Sequence, residues 1–192
     1  GAVKAVQERT ELIVKLVGDE FVIRQELSNY SYPKDQIEVI HASQKIDTAE
    51  SPVAAIRGKK DSSMVVGLNL VKNQQAHGFV SAGNSGAILV GGQLIVGRIK
   101  GVERPPLAPL LPTNKGVSLL VDCGANVDAR PSHLVQFAKM GSLYYKFMFG
   151  ENNPRVYLLS NGTEEEKGSP LTKEVFKLLK EDKSINFLGN TE

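Results

Sequence analysis

The chain contains no tryptophan and a single cysteine among 192 residues. One thiol cannot build an internal disulfide framework, so stability must come from a hydrophobic core, and a reducing, cytoplasmic compartment is expected. An excess of one charge sign is also missing, since 23 Lys and Arg face 21 Asp and Glu for a net charge of +2. This balance gives no bulk signal for nucleic-acid binding, and no nucleic-acid partner is expected. No uncharged apolar run approaches the roughly 18 residues that a membrane span requires, and no signal peptide is read. His41, His77 and His133 are scattered without metal-ligand spacing, so no metal site is expected. There is no G-x-G-x-x-G and no Walker lysine, which excludes a dinucleotide or P-loop site, and no cofactor is expected.

The length allows one domain with a substantial core, and a single α/β domain over residues 1–192 is expected. Gly1–Gln7 reads as the tail of a helix and Ile185–Gly189 as a strand with nothing after it, so the domain is expected to be incomplete at both ends. Between these, short apolar strands alternate with helical segments. Strands are predicted over Leu12–Val17, Ile37–Ile40, Val117–Val121 and Arg155–Leu159, and Phe79-Val80 reads as the end of another. Helices are predicted over Glu20–Leu27, Pro52–Arg57, Met64–Gln74, Ala87–Ile99, from Pro131 onward and over Pro170–Glu181. Leu134, Phe137, Ala138, Gly141, Tyr145 and Met148 follow helical spacing and predict the buried stripe of the helix opened by Pro131. Residues 100–115 carry four prolines and exclude regular helix or a central strand. The alternation predicts a three-layer α/β fold, Rossmann-like, with a mostly parallel sheet and helices on both faces.

The stretch GFVSAGNSGAILVGGQLIVGR, residues 78–98, organises the functional reading. A strand, a small polar turn and an apolar helix bring free backbone N–H groups and the positive end of a helix dipole to one place, which suits a phosphate. Ser81, Gly83, Ser85 and Gly86 are the expected phosphate-binding residues, with a tight connection built for close packing as the alternative. Polar turns also follow the strands at 122–126 and 161–168. In a parallel sheet with right-handed crossovers these three turns share the carboxyl edge, where open α/β sheets bind ligands.

The blocks SAGNSGA, VGRIKGVERPPLAPLLPT, DCGANVDARPSHLVQFAKMGS, NGTEEEKG and LTKEVFKLLK resemble one family over essentially the whole chain, the phosphate acyltransferases of bacterial phospholipid synthesis known as PlsX. The resemblance implies the reaction of acyl-[acyl carrier protein] with inorganic phosphate to give acyl phosphate and free carrier. It implies a fold similar to phosphotransacetylases and isopropylmalate-type dehydrogenases. It also implies a homodimer held loosely at the inner face of the membrane through parts of the family absent from this sequence. The family's opening strand and its final third have no counterpart here. Ser85 stands where the family usually has Thr, Cys123 where it has Val, and Asn161 where it has an aliphatic residue.

In that reaction phosphate is itself the nucleophile and the thiol leaves readily, so the protein must chiefly place a dianion and stabilise an oxyanion. Asn84 and Asn126 are the expected donors to phosphate or to the oxyanion, with side-chain turn formation as the alternative for each. Arg98, Lys100 and Arg104 are the expected contacts for the acidic acyl carrier protein, with a solvated loop as the alternative. Cys123 is read as a packing residue rather than a covalent nucleophile. Two other functions fit the same fold: a phosphotransacetylase-like enzyme using acyl-CoA, and a non-catalytic module that binds phosphate or acyl carrier.

Overall fold

The computed structural model describes all residues, Gly1–Glu192. The chain divides into two compact units, Gly1–Ile99 and Lys100–Glu192.

The first unit opens with α1 (Ala2–Glu8), followed by β1 (Val14–Gly18), α2 (Glu20–Leu27) and β2 (Ile37–His41). β1 and β2 pair in parallel from Val14 opposite Ile37 to Gly18 opposite His41. Asp19 caps α2 by accepting the Val22 N–H at 3.1 Å, which satisfies one of the donors that a helix start leaves without a partner. Val6, Leu27 and Ile37 are buried together, with Val3, Leu16, Ile23 and Val39 packed around them. Gln36 is buried at the head of β2, where its amide donates to the Thr10 and Leu12 carbonyls at 2.7 and 2.8 Å. A buried amide left without such acceptors would be costly, so these bonds anchor the segment that leads into β1.

α3 (Pro52–Gly58), α4 (Ser63–Lys72) and α5 (Ser85–Gly91) form the second half of this unit. Pro52 sits at the first position of α3, where a missing N–H costs nothing. Ser62 caps α4, while the neighbouring Asp61 accepts from Ser43 N–H and hydroxyl instead. Ile46, Ala55, Ile56, Met64, Val65, Leu68 and Ala87 make the core of this half. Each large side chain there contributes about 1.5–3 kcal/mol by leaving water.

Two expectations change here. Phe79-Val80 is not a strand: Phe79 packs against this core, Val80 is 97% exposed, and no neighbouring strand offers a ladder. The expected helix over Ala87–Ile99 begins earlier and breaks up sooner. α5 passes into a π-helical turn at Gly92–Val96, and Gly97, at φ 97°, donates back to the Gly92 carbonyl. Adjacent Gly91 and Gly92 weaken regular helix by the entropy they lose, which favours such a departure.

The second unit contains β3 (Leu110–Thr113), β4 (Gly116–Leu119), α6 (Pro131–Phe149), β5 (Arg155–Leu159), α7 (Pro170–Glu181) and β6 (Asn186–Thr191). β3 and β4 form an antiparallel hairpin in which Pro112 faces Val117. A proline is tolerated there because β3 is an edge strand. β5 and β6 pair in parallel, with a register shift between Val156 and Leu158. α7 lies between them in sequence and buries Val175, Phe176 and Leu179, and Phe176 meets Phe187 of β6 edge to face at 5.3 Å. α6 buries Phe137 and ties to the hairpin through Tyr145, whose hydroxyl donates to the Val117 carbonyl at 2.9 Å. Of the predicted stripe of α6, Phe137 is buried, Leu134, Ala138, Gly141 and Tyr145 are half-buried, and Met148 is 54% exposed.

Candidate functional site

The turn at 81–86 is built by its own side chains. Ser81 Oγ accepts the Gly83 N–H at 3.2 Å, and Asn84 Oδ1 accepts the Ala87 N–H at 2.9 Å as the cap of α5. The Asn84 amide then donates across 34–37 residues to the carbonyls of Asp47, Thr48 and Glu50, at 3.2, 3.3 and 2.9 Å. Asn84 is 6% exposed, so its polar atoms face protein rather than solvent. The Ser85 and Gly86 N–H groups, the first two of α5, have no acceptor in the chain, and the Ser85 side chain is exposed. A Cβ on Gly86 would lie 2.8 Å from Pro52 Cγ, so glycine here also lets α3 and α5 begin side by side. The same turn thus combines two N–H groups without an acceptor and a close approach of α3 and α5.

The loop held by Asn84 is held from its other side as well. Lys59 Nζ bridges the Lys45 carbonyl at 2.9 Å and Glu50 Oε1 at 2.6 Å, and Glu50 also accepts the Asp47 N–H at 2.7 Å. Lys59, followed by that N–H, holds the Glu50 carboxyl below its ordinary value. Within the basic run 57–60, Lys59 is thus committed to the loop at 44–50.

In the second unit the turn after β4 gathers around Asp122. Its Oδ1 accepts the Leu107 N–H at 2.6 Å, and its Oδ2 accepts the Asn126 N–H at 2.8 Å. The Asn126 amide donates to the Pro105 carbonyl at 3.1 Å and to Asp122 Oδ2 at 3.3 Å. Like Asn84, Asn126 spends its amide on the protein's own acceptors. Cys123 is exposed, and its N–H donates to the Leu107 carbonyl at 2.9 Å. His133, 3% exposed in the first turn of α6, accepts the Arg130 N–H at Nδ1 (3.1 Å) and meets Glu103 at Nε2 (3.0 Å). Gln136 accepts the Glu103 N–H and donates to the Gly101 carbonyl.

Arg98 lies at the end of the first unit, while Lys100 and Arg104 lie in the second; Arg98 and Lys100 are exposed and Arg104 is half-buried. The third turn, 161–168, leads to Ser169, which caps α7 by accepting the Thr172 N–H at 3.2 Å. Glu165 in this turn pairs with Lys180 at 2.8 Å.

The shared-edge expectation assumed three parallel strands ahead of the three turns. Only β5 is paired in parallel; β4 pairs antiparallel with β3, and residues 78–80 form no ladder. The crossover rule therefore gives no ground for a shared edge. Asp122 and Lys59 were not among the expected site residues. Their signal in the sequence is weak, an acid after a strand and a lysine in a basic run, because their partners lie 15 and 9 residues away.

Parallel pairing of strands joined through helices places the chain in the Rossmann-like α/β class. A solved structure with this architecture, the EutD phosphotransacetylase from Staphylococcus aureus, matches all of this chain and 63% of its own with a TM-score of 0.64 at 18% identity, a likeness of fold. The chain belongs to the family described as fatty acid synthesis protein, whose match covers residues 1–192. Among curated relatives, the phosphate acyltransferase of Clostridium botulinum (strain Alaska E43 / Type E3) is 55% identical over all of this chain, which spans 58% of that relative. The phosphate acyltransferase of Alkaliphilus oremlandii (strain OhILAs) is 51% identical over all of this chain, here 57% of the relative. No helix is long and apolar enough to cross a membrane.

Proposed function

We propose that this chain is part of an acyltransferase that converts acyl-[acyl carrier protein] and inorganic phosphate into acyl phosphate and free carrier, for bacterial phospholipid synthesis. The observation that carries the reading is the match, over all of this chain, to relatives named phosphate acyltransferase at about half identity. A phosphate oxygen attacks the thioester carbonyl, the carbon–sulfur bond breaks, and the phosphate proton leaves with the carrier thiolate. A thiol departs without strong acid assistance, so binding and charge placement are the main tasks. The open N–H groups of Ser85 and Gly86 and the Ser85 hydroxyl are the phosphate ligands in this reading, with Ser81 and Gly83 shaping the turn beside them through the bond from the Gly83 N–H to Ser81 Oγ. Asn84 and Asn126 serve it by holding the two turns in shape. Lys100 and Arg104 are the contacts of the second unit for the acidic carrier protein in this reading, and Arg98 is a contact of the first. A homodimer resting on the inner face of the membrane completes the reading.

The test is to supply full-length protein with phosphate and either acyl carrier thioester or acyl-CoA, and to follow acyl phosphate. Formation from the carrier thioester supports the reading. Formation from acyl-CoA alone makes the protein a phosphotransacetylase-like enzyme, and binding without turnover makes it a binding module. Reversing Lys100 to Glu should raise the KM for carrier and weaken its dependence on salt.

A further inference from the structure

The segment from Gly101 to Pro109 lacks regular structure, yet it is pinned along its length within the second unit. At its start, Gln136 takes the Gly101 carbonyl and the Glu103 N–H at 3.1 and 2.9 Å, and the buried His133 holds the Glu103 carboxylate. At its far end, the Leu120 N–H donates to the Pro109 carbonyl at 3.1 Å. In the middle both backbone groups of Leu107 are engaged, its N–H by Asp122 Oδ1 and its carbonyl by the Cys123 N–H. Asp122 reaches the turn at 122–126 with its other oxygen and fastens Asn126, which in turn holds the Pro105 carbonyl. Prolines at 105 and 106 remove two donors and restrict φ, so this stretch has few bonds of its own with which to hold a shape. Arg104 sits between the two sets of anchors.

We propose that Asp122 is a positioning residue: one carboxylate joins the 105–107 segment to the 122–126 turn and thereby sets how Arg104 is presented to the acyl carrier protein. This rests on the proposed acyl transfer from a carrier-borne thioester. One carboxylate accepting from two separate backbone N–H groups is stronger than two neutral bonds, and its loss removes both contacts at once, leaving only the bonds to the Leu107 and Pro105 carbonyls between the two segments. Asp122→Ala removes both acceptors. Asp122→Asn keeps one oxygen, and Leu107→Pro removes the opposing donor while leaving the carboxylate in place.

The experiment uses the full-length protein. Amide hydrogen exchange is measured at Leu107 and Asn126, and steady-state kinetics are measured with acyl carrier thioester and phosphate. In Asp122→Ala we expect exchange at both amides to accelerate by about tenfold or more, the loss of one charge-assisted bond. The KM for carrier should rise by about the same factor with kcat within about threefold, Asp122→Asn should fall between, and Leu107→Pro should reproduce the KM rise. Unchanged exchange at both amides in Asp122→Ala overturns the proposal. So does a fall in kcat at constant carrier KM, which would mean that Asp122 acts on the reacting atoms. If Asp122→Ala does not fold, Leu107→Pro decides: an unchanged carrier KM there overturns the proposal. Should the wild-type protein make no acyl phosphate, the acyl-transfer reading fails, while the exchange measurement still decides whether Asp122 joins the two segments.

Discussion

Replacing Asn84 with alanine removes a helix cap and a loop anchor together. The cap, Asn84 Oδ1 to the Ala87 N–H at 2.9 Å, contributes about 1 kcal/mol. The two amide hydrogens are spread over three carbonyls at 2.9–3.3 Å and amount to two net hydrogen bonds of about 1 kcal/mol each. The sum is about 3 kcal/mol, a large share of the roughly 5–15 kcal/mol that holds an ordinary domain. Asn84→Ser separates the parts, because a serine oxygen still caps while the donors to the loop are gone; it should lose about 2 kcal/mol. With no tryptophan to report, urea unfolding is followed by far-ultraviolet circular dichroism. At a slope of about 2 kcal/mol per molar urea, the Ala midpoint should fall by about 1.5 M and the Ser midpoint by about 1 M. An Ala variant within about 0.5 kcal/mol of wild type would refute the anchoring role assigned to this side chain. Turnover lost without any loss of stability would instead restore Asn84 as a donor to the reacting groups.

Gly91→Ala should destabilise by about 1–2 kcal/mol despite alanine's better helix propensity, because the new methyl meets Leu68 and lies 3.2 Å from Ile56 in the core; chemical denaturation measures it, and stabilisation would contradict the packing. Lys139, with the Ser184 hydroxyl and N–H, pulls the Asp182 carboxyl down to about 2 from its ordinary 3.8. A depressed folded-state value stabilises fully above about pH 4 and is lost as pH falls toward 2, so Asp182→Asn should flatten the acid limb of melting temperature against pH, and parallel curves would exclude it. Cys123→Ser should leave acyl transfer within about twofold and stability within about 0.5 kcal/mol, since the thiol is exposed and only the backbone of Cys123 is bonded; a hundredfold loss of turnover would revive a covalent role.

The features readable from the chain alone are those set by neighbours a few residues away. Pro52 and Pro170 open helices because the first turn needs no N–H from them, and the ends of β5 and α7 follow from local pattern. The α/β class follows in the same way, from the alternation of apolar runs with helical periods. The motif blocks carried the family as well, since they reflect residue order rather than geometry. Tertiary structure decided what each strand pairs with, and that choice is settled by distant partners. Val117–Leu119 meets the proline-bearing β3 across a hairpin, and Phe79-Val80 meets no strand at all. It also decided what the polar side chains do. Asn84, Asn126, Lys59 and Asp122 look alike in sequence whether they face a ligand or the protein's own backbone; each has a hydrogen-bond partner 9 to 37 residues away along the chain, and only the folded path brings those partners within reach.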